Sequence, residues 1–239
     1  MPYYTKDENG RLVEQARARV LCKPAKEIGV LFAYHHTRGP TNANFASFAS
    51  SNPDSAVVPI RLSSGLVNFG YSRLKPNGFL RWLVGSNDRL YWRNLDAVYY
   101  EYYRERSENC KRWLLAEWDL FCNTDLEKFF GAFWDKPFVS TNITGPGWCW
   151  FDEVCNMPLE AQCFAAGCAP LAGTLISDEC LEKIVLGSWW ADRSVFCELR
   201  IATLARMSGF ELSQHLFGGI GCEKRPEIKG PGLWHPIKT

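Results

Sequence analysis

The chain has no long apolar run. No window of its 239 residues approaches the ~20 apolar residues that span a bilayer. The opening stretch, MPYYTKDENGRLVEQARARVLCKP, contains no apolar signal region. The expectation is a soluble, cytoplasmic protein without a transmembrane segment. Charge of one sign is also missing. Lys plus Arg number 27 and Asp plus Glu 26, a net charge of +1. Without a basic excess there is no global nucleic-acid footprint, and no nucleic-acid partner is expected. The ten cysteines hold no C-x-x-C pair, which argues against a zinc site. A chain this long does not need disulfide staples, so most thiols are expected to be reduced and buried as small hydrophobes. No G-x-x-x-x-G-K-[ST] is present, and no G-x-G-x-x-G follows the first strand. These absences exclude a P-loop enzyme and a Rossmann dehydrogenase.

Aromatic residues are plentiful, at 14% with ten Trp. Rings at this density suit either an aromatic core or a surface that stacks on a ligand. Residues 1–25 are polar and read as an N-terminal extension. IGVLFAY at 28–34 is a continuous apolar run of the kind covered on both faces in a parallel sheet. A short helix capped by Thr41 or Asn42 and the strand AVVPI at 56–60 follow. Strand, helix and strand make an α/β fold with a mostly parallel sheet flanked by helices the leading class. In NLDAVYYEYYRER, Leu95, Val98, Tyr99 and Tyr102 share one helical face, with Asn94 as cap.

RWLLAEWD is the next strand, and Thr124 and Glu127 suggest a capping box directly after it. Two acids therefore fall at the carboxyl end of a strand, where open α/β sheets bind ligands. If the pleat persists, Glu117 and Asp119 face one way and Trp118 the other. Two carboxylates there suit Mg2+ or Mn2+ bound together with a phosphate. Taken alone, two acids at a strand end are more often solvated loop residues than metal ligands.

In the second half, Trp148 and Trp150 flank a Gly-Pro-Gly loop. PLEAQCFAAGC reads as a helix ending near Gly167. Gly167 and Gly173 bracket a stretch where backbone either approaches a ligand or ends a helix. TLISDECLEKIVLG reads as loop and short helix. A mostly buried helix of about 16 residues is expected between Asp192 and Gly209. It holds Glu198 and Arg200, either as a structural ion pair or as chemistry. Near the C-terminus, LWHPIK places His235 as a ligand or as a structural residue.

The order of these features resembles the GT-A class of glycosyltransferases over residues 28–238: an acid-x-acid at a strand end, a glycine loop, an acid on a buried helix and a late histidine. The resemblance implies a single GT-A-like, Rossmann-like domain over 26–239, with a nucleotide-binding half at 28–123 and an acceptor half at 124–239. It implies transfer of a sugar from a UDP- or GDP-sugar to a glycan or other acceptor hydroxyl, with Mn2+ or Mg2+. Glu117 and Asp119 would hold the metal and the donor diphosphate, completed by His235. Glu198 would be the base of an inverting reaction, with Asp192 as fallback. Tyr34, His35, Thr37, Arg38, Asn94, Asp96, Trp118 and Gly173 would lie on the donor side. Trp148, Trp150 and Trp189 would face the acceptor. The alternatives are a non-catalytic nucleotide-sugar or carbohydrate-binding module, and a metal-dependent nucleotidyltransferase.

Overall fold

Apolar strands seed the fold. A computed structural model of the chain describes residues 24–35, 42–62, 93–167, 169–190, 195–215 and 227–236. The first strand, β1 (Lys26–His35), pairs in parallel with β2 (Ala56–Leu62) on one side and β3 (Cys110–Glu117) on the other. Val30, Leu31, Phe32 and Ala33 are all fully buried. A central parallel strand covered on both faces requires such an unbroken run. Pro59 is tolerated because β2 is an edge strand.

The sheet continues through β6 (Thr174–Ser177), β5 (Phe138–Ser140) and β7 (Ser213–Gln214), in the order β2-β1-β3-β6-β5-β7. β6 runs antiparallel to both of its neighbours, whereas β5 and β7 are parallel. The sheet is thus mixed but mostly parallel, in an α/β domain. It also crosses the 123/124 division expected between two halves. TLIS, a loop by sequence pattern, is a strand. Its four residues are too short for a periodic signal, yet pairing on both sides buries Thr174, Leu175 and Ile176 completely.

Side-chain alternation sorts the strands into two layers. Leu31, Ala33, Trp113, Leu115 and Ile176 face one core, formed with the helices α2 (Asp96–Glu105), α5 (Asp178–Gly187) and α6 (Cys197–Met207). Val30, Phe32, Leu114, Ala116 and Leu175 face the other, against α1 (Asn42–Ser51) and α3 (Leu126–Phe130). Phe45 and Phe48 of α1 meet Phe32 edge-on, at 5.5 and 6.0 Å between ring centroids. Among the described residues no helix is long and apolar enough to cross a membrane.

Several helix ends differ from expectation. Leu95, Tyr99, Tyr100 and Tyr103 are buried and Tyr102 half-buried, so the face of α2 is turned slightly from that expected; the side chain of Val98 lies outside the described residues. Asn94 does not cap α2. Asp125, not Thr124, caps α3, its carboxylate accepting from the Lys128 N–H at 3.1 Å. The helix expected over 158–168 is only α4 (Leu159–Gln162). Gly167 therefore ends no helix. Its φ is +113°, and a Cβ there would sit 1.3 Å from the Thr144 carbonyl oxygen. The close backbone neighbour that requires glycine is Thr144. α6 is 11 residues long and stops before Gly209 as expected, but begins only at Cys197. Of the seven described cysteines, all free, Cys110, Cys122, Cys180 and Cys197 are buried, as expected of most thiols, whereas Cys149, Cys155 and Cys163 are exposed.

Candidate metal-binding and donor site

β3 carries Trp113, Leu115 and Glu117 on the α2–α6 side and ends at Glu117. The pleat does not persist. The Leu120 N–H returns to the Glu117 carbonyl at 3.0 Å, so Trp118 and Asp119 form a turn. Strand alternation is therefore not what brings the two carboxylates together. The turn does so, and α1 holds it: Asn44 Nδ2 donates to the Trp118 carbonyl at 3.0 Å. Trp118 is half-buried and packs against both cores.

The chain leaves the turn as β4 (Phe121–Cys122), which pairs antiparallel with β8 (Leu233–Trp234). Phe121 lies opposite Trp234, so His235 arrives beside the turn that carries Asp119. Asn123 fixes this ribbon. Its Oδ1 accepts from the Gly232 N–H at 2.8 Å and from Trp234 Nε1 at 3.3 Å. Its Nδ2 donates to the Gly230 carbonyl at 3.0 Å, and its own N–H to the Gly232 carbonyl at 3.2 Å. The Ser47 and Ser51 hydroxyls of α1 brace Cys122 from the other side, at 3.1 and 3.4 Å. Reasoning from sequence missed Asn123, Asn44 and Ser47. A polar stop after FC is visible in the sequence, but its partners lie 70 or more residues away.

Glu117, Asp119 and His235 each offer a ligand atom within 4.8 Å of the others. His235 Nε2 is 3.0 Å from Asp119 Oδ1 and 3.9 Å from Glu117 Oε2. Both acids are buried, with Glu117 6% and Asp119 4% exposed. Asp119 Oδ1 is buried, with His235 Nε2 beside it as its ion-pair partner. Burial pushes the Glu117 carboxyl up to about 8; His235 opposes the rise, while Asp119 and Glu198 add to it. Burial pulls His235 down, but the contact with Asp119 and the charges of Glu117 and Glu198 outweigh it and raise its pKa. Two buried acids beside an imidazole are costly without a cation. Two carboxylates plus an imidazole form a donor set that fits Mn2+, and Mg2+ less well.

Glu198 is half-buried in the first turn of α6. It stands outside the three converging ligands, yet its charge acts on Glu117 and on His235. The α6 N-terminus therefore opens at the carboxyl edge of β3. No side chain of the preceding residue caps it. Instead Glu153 Oε2 accepts from the Phe196 N–H at 2.7 Å, and Glu153 also pairs with Arg93. Around this clamp, Trp150 stacks on Phe196 at 5.8 Å and Trp148 meets it edge-on at 5.3 Å. The Arg93 guanidinium lies 5.1 Å from the Trp150 centroid. Trp148 and Trp150 are thus half-buried partners of the residue two before Glu198. Glu153 and Arg93 were not foreseen.

The other expected positions divide. Ala33 is level with Glu117 in the β1–β3 register, so Tyr34 and His35 continue past the acid on the neighbouring strand. The side chains of His35 and Trp189 lie outside the described residues, as do Thr37, Arg38 and Asp192 entirely. Gly173, at φ +82°, donates to the Leu115 carbonyl at 2.9 Å, beside the same strand end. Asp96 does not fit a donor role. It is fully buried, ion-paired to Arg200 and bonded by the Tyr100 hydroxyl at 2.6 Å. Arg200 Nη2 also donates to Asn94 Oδ1 at 3.3 Å. Both residues belong to an interior network, and Arg200 finds its buried partner in Asp96.

Compared with known proteins, the chain matches no family model and no curated sequence.

Proposed function

We propose that the protein is a metal-dependent glycosyltransferase using a nucleoside-diphosphate sugar. The observation that carries this reading is the convergence of Glu117, Asp119 and His235 within 4.8 Å at the carboxyl end of a central strand, with both carboxylates buried. A cation fits two buried carboxylates beside an imidazole, and a cation bound there would offset the charge developing on a leaving diphosphate. The mixed α/β sheet supports the reading because ligands bind beyond strand carboxyl ends in such folds. Asp119, Glu117 and His235 hold the metal and through it the donor. Tyr34 and His35, on the adjacent strand, lie towards the nucleotide. Glu198, whose charge acts on Glu117 and His235, accepts the proton of the acceptor hydroxyl, the role of the base in an inverting transfer. Trp148 and Trp150 flank the acceptor approach, with rings suited to a sugar face.

Thermal-shift titration tests this. UDP, GDP, UDP-glucose and GDP-mannose are added with and without Mn2+. A ligand that binds only the folded state raises the melting temperature. At least one should do so only with Mn2+, and Asp119→Ala should abolish that rise. Metal-independent binding, or an unchanged response in the variant, refutes the reading. Glu198→Gln should keep the donor-induced shift and lose transfer.

A further inference from the structure

One peptide unit holds the start of α6. The Val195 carbonyl accepts from Arg200 Nη1 at 3.1 Å, and the Phe196 N–H donates to Glu153 Oε2 at 2.7 Å. Both groups belong to the peptide that joins Val195 to Phe196, so it is gripped on both sides. The helix itself uses neither: its first internal bond runs from the Arg200 N–H to the Phe196 carbonyl at 2.9 Å. Just inside the helix, the Glu198 carbonyl accepts from the Ala169 N–H at 3.2 Å.

Both grips lead back to the entry of α2. Asp96 pairs with Arg200, and Asn94 Oδ1 accepts from Arg200 Nη2 at 3.3 Å. Arg93 pairs with Glu153. The two grips differ in kind. Asp96 and Arg200 are buried, so their loss disturbs the core. Arg93 and Glu153 lie at its margin, with side chains 18% and 16% exposed.

Exposed ion pairs contribute little. This one is mostly covered, and the Arg93 guanidinium lies 5.1 Å from the Trp150 centroid and 5.7 Å from that of Phe196. Those two rings stack on each other at 13°. A guanidinium placed against two rings and bonded to a carboxylate has little freedom. Glu153 is thereby fixed with one oxygen on Arg93 and the other on the Phe196 N–H.

Glu198 lies two residues beyond that N–H, in the first turn of α6. A base must stay within hydrogen-bond reach of the proton it takes, and a displacement of about 1 Å costs about a hundredfold in rate. Resting on the glycosyltransferase reading above, we propose that Arg93 is a positioning residue: through Glu153 it fixes the peptide before α6 and so aims Glu198 at the acceptor hydroxyl.

The test measures hydrogen exchange at the Phe196 amide, and diphosphate release from UDP-glucose and GDP-mannose with Mn2+. It is run on wild type, Arg93→Met and Arg93→Lys. Water serves as acceptor: its oxygen bonds the anomeric carbon, the bond from that carbon to the diphosphate oxygen breaks, and its proton passes to Glu198. Arg93→Met keeps an apolar stem against the rings and removes the charge. Exchange at Phe196 should quicken about tenfold as a charged hydrogen bond loosens. The kcat should fall about tenfold to a hundredfold, with KM and Mn2+ affinity within about twofold of wild type. Arg93→Lys keeps a charge beside Glu153 and should recover most of the kcat. Unchanged exchange overturns the grip. Quickened exchange with unchanged kcat, a matching rise in KM, or no recovery in the lysine variant overturns the positioning role and leaves the metal-site reading standing. Wild type that leaves both donors intact with Mn2+ overturns Glu198 as base, and the role of Arg93 with it.

Discussion

Replacing Glu117 by glutamine removes a charge that the folded, metal-free chain holds at a cost. The carboxyl sits at about 8 against an ordinary 4.5, a gap of 8 − 4.5 = 3.5 pH units. At about 1.36 kcal/mol per unit this is on the order of 5 kcal/mol as an upper bound. The sign follows from proton linkage. The folded state holds the proton more tightly than the unfolded chain, so stability is greatest below about pH 4.5 and falls as pH rises to about 8. The glutamine variant has no such slope. The raised pKa of His235 slopes the same way; in the variant it loses the part due to Glu117 and keeps the part due to Asp119 and Glu198. Glu117→Gln, freed of metal with EDTA, should therefore melt with wild type at pH 5 and above it at pH 8.5. With about 2–4 °C per kcal/mol for a chain this size, the gap reaches about 20 °C at most. The variant should also lose the stabilisation that Mn2+ gives wild type. Scanning calorimetry across pH 5–8.5 reads both. A melting difference independent of pH would refute the assignment of Glu117 as a buried carboxyl protonated near neutrality.

Other perturbations separate the site from its scaffold. Asp96→Asn strands the Arg200 charge in the interior and should cost about 3–5 kcal/mol in urea unfolding, whereas a joint change of Asp96 and Arg200 to apolar residues should cost less. Asn123→Ala removes three side-chain bonds from the β4–β8 ribbon; limited proteolysis should cut near 227–236 faster, and Mn2+ affinity should fall as it does in His235→Ala. Glu153→Ala releases the Phe196 N–H and should lower turnover by loosening the first turn of α6, while Mn2+ affinity stays within about twofold; an equal loss of metal binding would place Glu153 in the metal site instead.

Much of the sheet was legible because its strands are buried on both faces. GVLFA and WLLA leave no polar interruption, and the class follows. What failed was short or non-local. β6 has four residues and depends on two neighbours. The Thr124 cap was one residue out because Thr124 and Asp125 are equally good candidates locally. Asp96 looks ligand-like in WRNLD, but its partner Arg200 is 104 residues away and invisible to any window. The grouping of Glu117, Asp119 and His235 was expected from order. The means was not: a turn replaces the pleat, and Asn123 brings the histidine.

Trp118 sits between the two acids and touches both hydrophobic layers at once. The carboxylates are thereby surveyed against two independent reference surfaces, as a joint is located by two walls. A repacking on either side of the sheet shifts the same indole and is transmitted to both oxygens. The site cannot be transplanted with one layer alone, and its geometry should drift with damage to either core well before the domain unfolds.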